Sequence, residues 1–344
     1  VLLDTYRATG ADLPFGDPRR PHGVAMEGWF WRITAPEQGV VVVVLAGVNR
    51  DRDGRAWGTV GLAAHPGGFS RAIAVDDAAV VDGAGAIRIG SALRADAPVT
   101  GSDPKTDLRR PATKLRADAH AGSVAVDLGA DARLDIVLEA PGRWPRRLFG
   151  GLGAAQAIPG LSQYWHPWLL RARVRGAAVI DGREIDLDGA VAYAEKNWSN
   201  GGFPETWWWG QAHGFADDPD ACVAFAGGRA GVGALRMVAT SLVVSAGGEL
   251  VRLVRPLQPL RVAVDGAGWR FSGRTPGGVS VEVEGHANGT PPHLLPVPDP
   301  AARRHREGAA AQHLAGELRV SLRRRGRTIF AGTSVLAGLE RGST

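Results

Sequence analysis

The sequence predicts an all-β chain folded as two tandem lipocalin-like antiparallel β-barrels. Three observations carry this expectation. Glycine and proline are abundant, 48 and 22 of 344 residues, with no long helical periodicity. Short apolar runs alternate with turn signals, and the chain partly repeats itself roughly 180 residues further on. Gly and Pro are favoured at turns and disfavoured inside helices, so their density implies many short strands. A chain of this length can bury two separate cores.

In the first copy, the alternating or continuous apolar runs place strands over Trp29 to Thr34, Val40 to Val48, Trp57 to Ala64, Phe69 to Val75, Ile87 to Ala92, Val124 to Leu128 and Leu134 to Glu139. A hairpin follows over Leu169 to Ile180 and Glu184 to Tyr193. The second copy has strands over Trp207 to Gly214, Ala221 to Ala226, Ala234 to Ser245, Leu250 to Arg255, Arg261 to Val264, Trp269 to Ser272 and Val279 to Glu284. Leu318 to Arg323 and Thr328 to Thr333 close it. Asp53-Gly54, Asp82-Gly83, Asp181-Gly182 and Asp265-Gly266 supply residues that accept the positive φ of hairpin turns. Long meanders of this kind close into barrels, which leaves no edge strand open.

The repeat is visible in four places. Trp29-Phe30-Trp31 aligns with Trp207-Trp208-Trp209, and the run ending Ala46-Gly47 with the run ending Ala226-Gly227. Pro66-Gly67-Gly68 aligns with Ala246-Gly247-Gly248, and Gly83 to Gly90 with Gly266 to Gly273. Pro141 to Pro167, rich in Gly and Pro, reads as the connection between the copies, giving domains at 1–165 and 166–344, although the boundary could also sit on the far side of the hairpin that follows.

Composition narrows the function classes. The single cysteine, Cys222, cannot form an internal disulfide and reads as a small buried hydrophobe. The longest apolar run, Val40 to Val48, is far shorter than the roughly 20 residues of a membrane span. No signal pattern opens the chain, so a cytoplasmic protein is expected. The net charge of +5 comes almost wholly from arginine, clustered at Arg303-Arg304-His305-Arg306 and Arg323-Arg324-Arg325-Gly326-Arg327. These clusters read as solvated loops or, alternatively, as a basic rim for peripheral contact with anionic lipid headgroups. They lack the interleaved aromatics of a nucleic-acid surface. The histidines show no metal-ligand spacing, and His286 with His293 falls in a Pro-rich loop. Gly151-Leu152-Gly153-Ala154-Ala155 lacks the third glycine of a dinucleotide loop, and no nucleophile elbow is present. Oligomeric state is not legible.

The chemistry concentrates in Ala194-Glu195-Lys196-Asn197-Trp198 and Phe203-Pro204-Glu205-Thr206-Trp207-Trp208-Trp209-Gly210-Gln211. They hold an acid, a base and four tryptophans within seventeen residues. That combination suits a pocket that binds a large apolar ligand and moves a proton inside it. Trp207 and Trp209 share one strand face, and so do Trp29 and Trp31. If the copies point alike, a Trp pair lines each barrel lumen; alternatively these indoles only fill the cores.

These segments resemble the tocopherol cyclase family, whose members carry an acid-Lys-acid-Trp segment, a Phe-Pro pair and a Trp-containing strand ending in Gln. Met26-Glu27-Gly28-Trp29-Phe30-Trp31 stands in for the family's Phe-Glu-Gly-Trp-Tyr-Phe. Gln163-Tyr164-Trp165-His166 follows the order of its Glu-Cys-Tyr-His stretch. The resemblance implies tandem barrels, no cofactor, and proton addition to an alkene of a prenylated hydroquinone, whose phenolic oxygen captures the cation and closes a ring. It departs from the family at Asn197, where the family has Asp, and at Phe30, where it has Tyr. If that Asp is the family's acid, the resemblance describes the fold without that cyclase step.

Alkene protonation needs a strong, well-placed acid, aromatic faces for the cation and exclusion of water. Each desolvated aromatic contact supplies about 2 kcal/mol. Glu195 is the first candidate donor, raised toward its protonated form by burial among Trp198, Trp207 and Trp209, with Lys196 pulling the other way. Adjacent strand residues face oppositely, so Glu195 and Lys196 are expected on different sides. Glu27 is the second candidate, with a structural role at the barrel end as its alternative. Trp29, Trp31, Tyr164, His166, Lys196, Asn197, Trp198, Trp207, Trp209, Gln211 and His213 are the candidate substrate-binding residues. The expected partner is a hydrophobic small molecule. Three other activities fit the same architecture: a hydratase, a pericyclic cyclase of secondary metabolism, and a non-catalytic carrier of a quinone or pigment.

Overall fold

A computed structural model of the chain describes residues 2–76, 78–81, 86–90, 116–232 and 235–344. The Asp82-Gly83 turn, the start of the aligned stretch at Gly83 to Gly85, and the strand ends expected at Ala92 and Ala234 lie outside these residues.

The first antiparallel sheet holds β1 (Met26–Ala35), β2 (Val40–Arg50), β3 (Ala56–His65), β4 (Phe69–Val75), β5 (Ala78–Val81), β6 (Ala86–Ile89), β7 (Arg116–His120), β8 (Ser123–Asp127), β9 (Ala132–Arg143), β10 (Tyr164–Ile180), β11 (Arg183–Asp186) and β12 (Val191–Ser199). The second holds β13 (Thr206–Ala212), β14 (Cys222–Val232), β15 (Leu235–Ala246), β16 (Glu249–Arg255), β17 (Leu260–Asp265), β18 (Gly268–Arg274), β19 (Val279–His286), β20 (His293–Asp299), β21 (Arg304–Arg324) and β22 (Arg327–Ser343).

Strand order is β4-β3-β2-β1-β12-β10-β9-β8-β7-β6-β5 in the first and β16-β15-β14-β13-β22-β21-β19-β18-β17 in the second. In each, the first strand lies between the second and the last, so each meander curls back on itself into a nearly closed barrel. The expected fold class is therefore the observed one. Turn chemistry fixes the hairpins as read: Asp181 and Gly182, with φ of 52° and 73°, join β10 to β11.

Two expectations about organisation are corrected. The hairpin after residue 165 belongs to the first sheet, so the change of sheet falls at 200–205 instead of 165/166. Pro141 to Pro167 is accordingly an excursion between β9 and β10, containing two short 3-10 turns, and does not connect the barrels. His293 begins β20, a strand that its prolines disguised as loop.

Each barrel is filled. Trp29, Trp31, Val42, Val44, Leu62 and Trp168 belong to the first core, and Phe225, Leu242, Leu253, Trp269, Phe271 and Leu322 to the second. A third apolar cluster, including Phe30, Val41, Val43, Tyr193, Trp207 and Trp209, packs the two barrels together. This explains the unbroken valine run of β2. Its even residues face the barrel core and its odd ones face the neighbouring barrel, so neither side meets water. The segment before β1, with helices α1 (Leu2–Ala8) and α2 (Arg19–His22), covers part of the first barrel. Phe15 stacks on Trp29 at 6.1 Å, the Trp29 indole donates to the Pro14 carbonyl at 2.7 Å, and Lys196 Nζ donates to the Gly16 carbonyl at 2.8 Å.

Candidate active site

The tryptophan pairs do not point alike. Trp29 and Trp31 face inward, whereas Trp207 and Trp209 face out of the second barrel toward the first, and Trp208 packs against the second core. The Trp triplets therefore align in sequence one residue away from their alignment in space, and a one-residue slip exchanges the faces of a strand. Phe30 lies opposite Glu195 in the β1/β12 register, and Trp209 lies opposite Glu340 in the β13/β22 register. Phe30 and Trp209, then Arg32 and Gln211, are the true counterparts, and each pair is in contact. The rings of the first pair meet at 4.8 Å, and Arg32 Nη1 donates to Gln211 Oε1 at 3.2 Å.

The sequence leaves open a site in either lumen or between the barrels; the structure has a cavity of about 380 Å³ between them. Its walls come from both sheets, with a predominantly apolar lining. Glu27, Trp29, Tyr164, Glu195, Asn197, Trp207 and Trp209 of the candidate residues reach it; Trp31, His166, Lys196, Trp198, Gln211 and His213 do not. Three lining residues, Ile158, Met237 and Leu257, are exposed by 45%, 42% and 64%, which gives the cavity an apolar rim.

Glu195 stands on the cavity-facing side of β12. Its Oε2 accepts three hydrogen bonds, from Trp165 Nε1 at 2.8 Å, Tyr193 OH at 2.7 Å and Trp209 Nε1 at 2.8 Å. Trp209 belongs to the other barrel, so the carboxyl forms only when the barrels are together. Oε1 has no protein partner among the described residues and is the oxygen left for the cavity. Burial is the largest influence on this group and pushes it from its ordinary 4.5 up to about 7, against the three donors, with the nearby Glu340 carboxyl adding to the rise. The group is thus still partly protonated near pH 7, and its conjugate base is stabilised in advance.

Glu340 was not singled out from sequence. It lines the same cavity, with Oε1 accepting from Trp207 Nε1 at 2.6 Å and Oε2 from Gln312 Nε2 at 2.8 Å. Burial raises its pKa, against those two donors. A signal was present: Ala192-Tyr193-Ala194-Glu195-Lys196 is matched by Ala337-Gly338-Leu339-Glu340-Arg341. In both, the basic residue points away from the cavity and lies over an indole, Lys196 over Trp29 at 4.8 Å and Arg341 over Trp269 at 4.7 Å. Trp165, Tyr193 and Gln312 were also missed as partners of these acids, because nothing local in their sequence marks them.

Several assigned roles change. Glu27 is an ion-paired carboxylate, with Lys196 Nζ 2.9 Å from Oε2 and Arg50 Nη1 3.2 Å from Oε1, which replaces the proton-donor role with a structural one. Lys196 is wholly buried by that pair and its Trp29 and Trp198 contacts, so it cannot touch a ligand in the cavity. Burial lowers its pKa, opposed by Glu27. Trp198 is sealed in a stack with Tyr164 and His22, and its indole donates to His22 Nδ1 at 2.9 Å. Tyr164 presents its ring to the cavity while its hydroxyl donates to the Ile158 carbonyl at 2.6 Å.

Trp31 is core. His166 is buried away from the cavity and pushed down to about 4 by that burial. Gln211 and His213 continue the Trp207/Trp209 face, as expected, but that face is here the closed part of the barrel interface. Gln211 accepts from Arg32, and His213 Nε2 contacts the Leu170 carbonyl at 2.9 Å. Arg303 of the first basic cluster joins Asp51 and Asp76 of the first barrel, at 3.1 and 3.0 Å. No helix among the described residues is long and apolar enough to cross a membrane.

The tocopherol cyclase-like sequence family matches residues 156–343, more than half of the chain, and the chain belongs to that family. The match begins before the Tyr164 strand and spans the Glu195 segment, the Trp strand and Glu340. Among solved structures, CghA is similar at 11% identity over 93% of this chain and 88% of that chain. Its TM-scores are 0.55 alone and 0.54 with Sch210972, which establishes a shared fold. Kievitone hydratase from Nectria haematococca is similar at 9% identity over 94% and 90% of the two chains, with a TM-score of 0.46. A comparison with curated protein sequences finds no significant match.

Proposed function

We propose that the chain is an intramolecular cyclase that needs no cofactor and protonates an alkene of a prenylated aromatic or similar terpenoid, with ring closure following. One observation carries this reading: a carboxyl group near neutral pKa, with three donors fixed on one oxygen and the other oxygen free, in a cavity walled by indoles. Glu195 delivers its proton from Oε1 to the less substituted, CH carbon of a trisubstituted alkene, which leaves the cation on the tertiary carbon. The negative charge left behind falls on a carboxylate already bonded by Trp165, Tyr193 and Trp209, which lowers the cost of separating charge. The tertiary cation faces Trp207 and Trp209, and a substrate hydroxyl captures it and loses its proton back to the carboxylate, so the acid is regenerated. The apolar rim suits entry of a greasy molecule, and the family membership supports cyclisation in kind.

Purified protein given a panel of prenylated hydroquinones in heavy water should form a product of unchanged mass, apart from one deuterium on carbon. Glu195→Gln should form none. A product heavier by one water would replace cyclisation with hydration, and turnover unaffected by Glu195→Gln would remove the donor assignment.

A further inference from the structure

Asn197 lies on the same strand as Glu195, and its surroundings indicate what it does. It lies two residues beyond Glu195 on β12, so the two side chains share a face about 7 Å apart along the strand. Both line the cavity. Its Oδ1 is shut away without a partner, whereas Nδ2 has no protein acceptor among the described residues and is the polar atom left to the cavity. An amide nitrogen of this kind only donates.

The residues around it leave room for a ligand atom. Gly28 is its partner across β1, and Gly47 is the partner of Gly28 on β2. Gly28 has no unusual φ; its need is space, because a Cβ there would sit 3.1 Å from Asn197 Oδ1 and 3.3 Å from Nδ2. The two glycines form a side-chain-free floor beside Asn197, bounded by Thr59 on one side and Trp165 on the other. Of the other donors in the wall, the indoles of Trp165, Trp207 and Trp209 bond carboxylates and Gln312 Nε2 bonds Glu340, whereas Trp208 Nε1 has no partner among the described residues and is shut away from solvent.

We propose that Asn197 Nδ2, above the Gly28 and Gly47 floor, holds a carbonyl oxygen of the substrate. The substrate is then an oxygenated ring bearing a carbonyl as well as the hydroxyl that closes the new ring, and not a bare hydrocarbon polyene. This assignment rests on the reading of Glu195 as proton donor in the same cavity, and it adds the group that orients the ring relative to that acid. Sites that hydrogen-bond a substrate oxygen reject analogues lacking it more strongly than apolar pockets reject a missing methylene.

The test compares 4-acetyl-2-geranylphenol with 4-ethyl-2-geranylphenol, in which a CH2 takes the place of the carbonyl, by quenching of tryptophan emission without regard to turnover and at a pH where both phenols are neutral. Wild type is expected to bind the acetyl compound about tenfold more tightly. Asn197→Leu should erase the difference, and so should the isosteric Asn197→Asp, which has no N–H to offer. Glu195→Gln should keep the difference while losing deuterium incorporation, so failure of the acid assignment and failure of this one give different results. Equal binding of the two compounds to wild type, no binding of either, or a preference that survives both Asn197 variants would overturn it.

Discussion

Glu195 and Glu340 occupy corresponding positions in the two barrels, each opposite the aromatic residue of the neighbouring first strand, and both open onto one cavity. They are not equivalent in their hydrogen bonding. Glu195 has one oxygen saturated and one free, while both oxygens of Glu340 are bonded. The charge at Glu340 contributes to raising Glu195. Glu340→Gln should therefore lower the Glu195 pKa and move the alkaline limb of the cyclisation rate to lower pH, as read from a pH–rate profile.

As the proposed donor, Glu195 has to be protonated to act, and its pKa of about 7 sets where that fails. The cyclisation rate is expected to hold below pH 7 and to fall about tenfold per pH unit above it. A rate that rises through pH 7 would assign the acid elsewhere.

The same group links pH to stability. Its folded pKa lies above its ordinary 4.5, so the folded chain binds the extra proton; the stabilisation is complete below pH 4.5 and is lost as pH rises through about 7. The span corresponds to about 3 kcal/mol. Urea midpoints measured between pH 4.5 and 8 should decline in wild type more steeply than in Glu195→Gln.

Arg32 clamps the barrels from within their interface. Its guanidinium is fully buried and donates to Thr34 Oγ1, Gln211 Oε1 and the carbonyls of Leu314 and Leu336, with no carboxylate among these partners. Burial brings it down to about 9. Arg32→Met leaves those acceptors unpaired and should cost about 3–5 kcal/mol in chemical denaturation.

Gly342 is needed for the Trp207 wall. An added Cβ would fall on the indole ring, which lies against that strand and holds Glu340. Gly342→Ala should displace the ring and weaken ligand binding about tenfold in fluorescence titration, with Gly326→Ala, at an open turn, showing no such loss of affinity.

The architecture was legible because its signals are local. Turn pairs such as Asp181-Gly182 and the apolar periods of β2, β14 and β19 mark strands without knowledge of their neighbours. The change of sheet was misplaced because β10 and β12 look alike whichever barrel they close; only pairing decides. Glu195 was found because it sits in a rare Trp-rich context, whereas Glu340 lies in an ordinary Ala- and Gly-containing strand. The choice of face for Trp207 and Trp209 depended on register across a duplicated pair, where one residue reverses inside and outside. Continuous apolar runs such as Val40 to Val44 did hold a clue to the interface, since they need cover on two sides.

The cavity between the barrels is bounded mostly by surfaces that two separately packed bodies turn toward each other. Its width is therefore governed by how the halves lean together, and most of its lining lies outside the two hydrophobic centres.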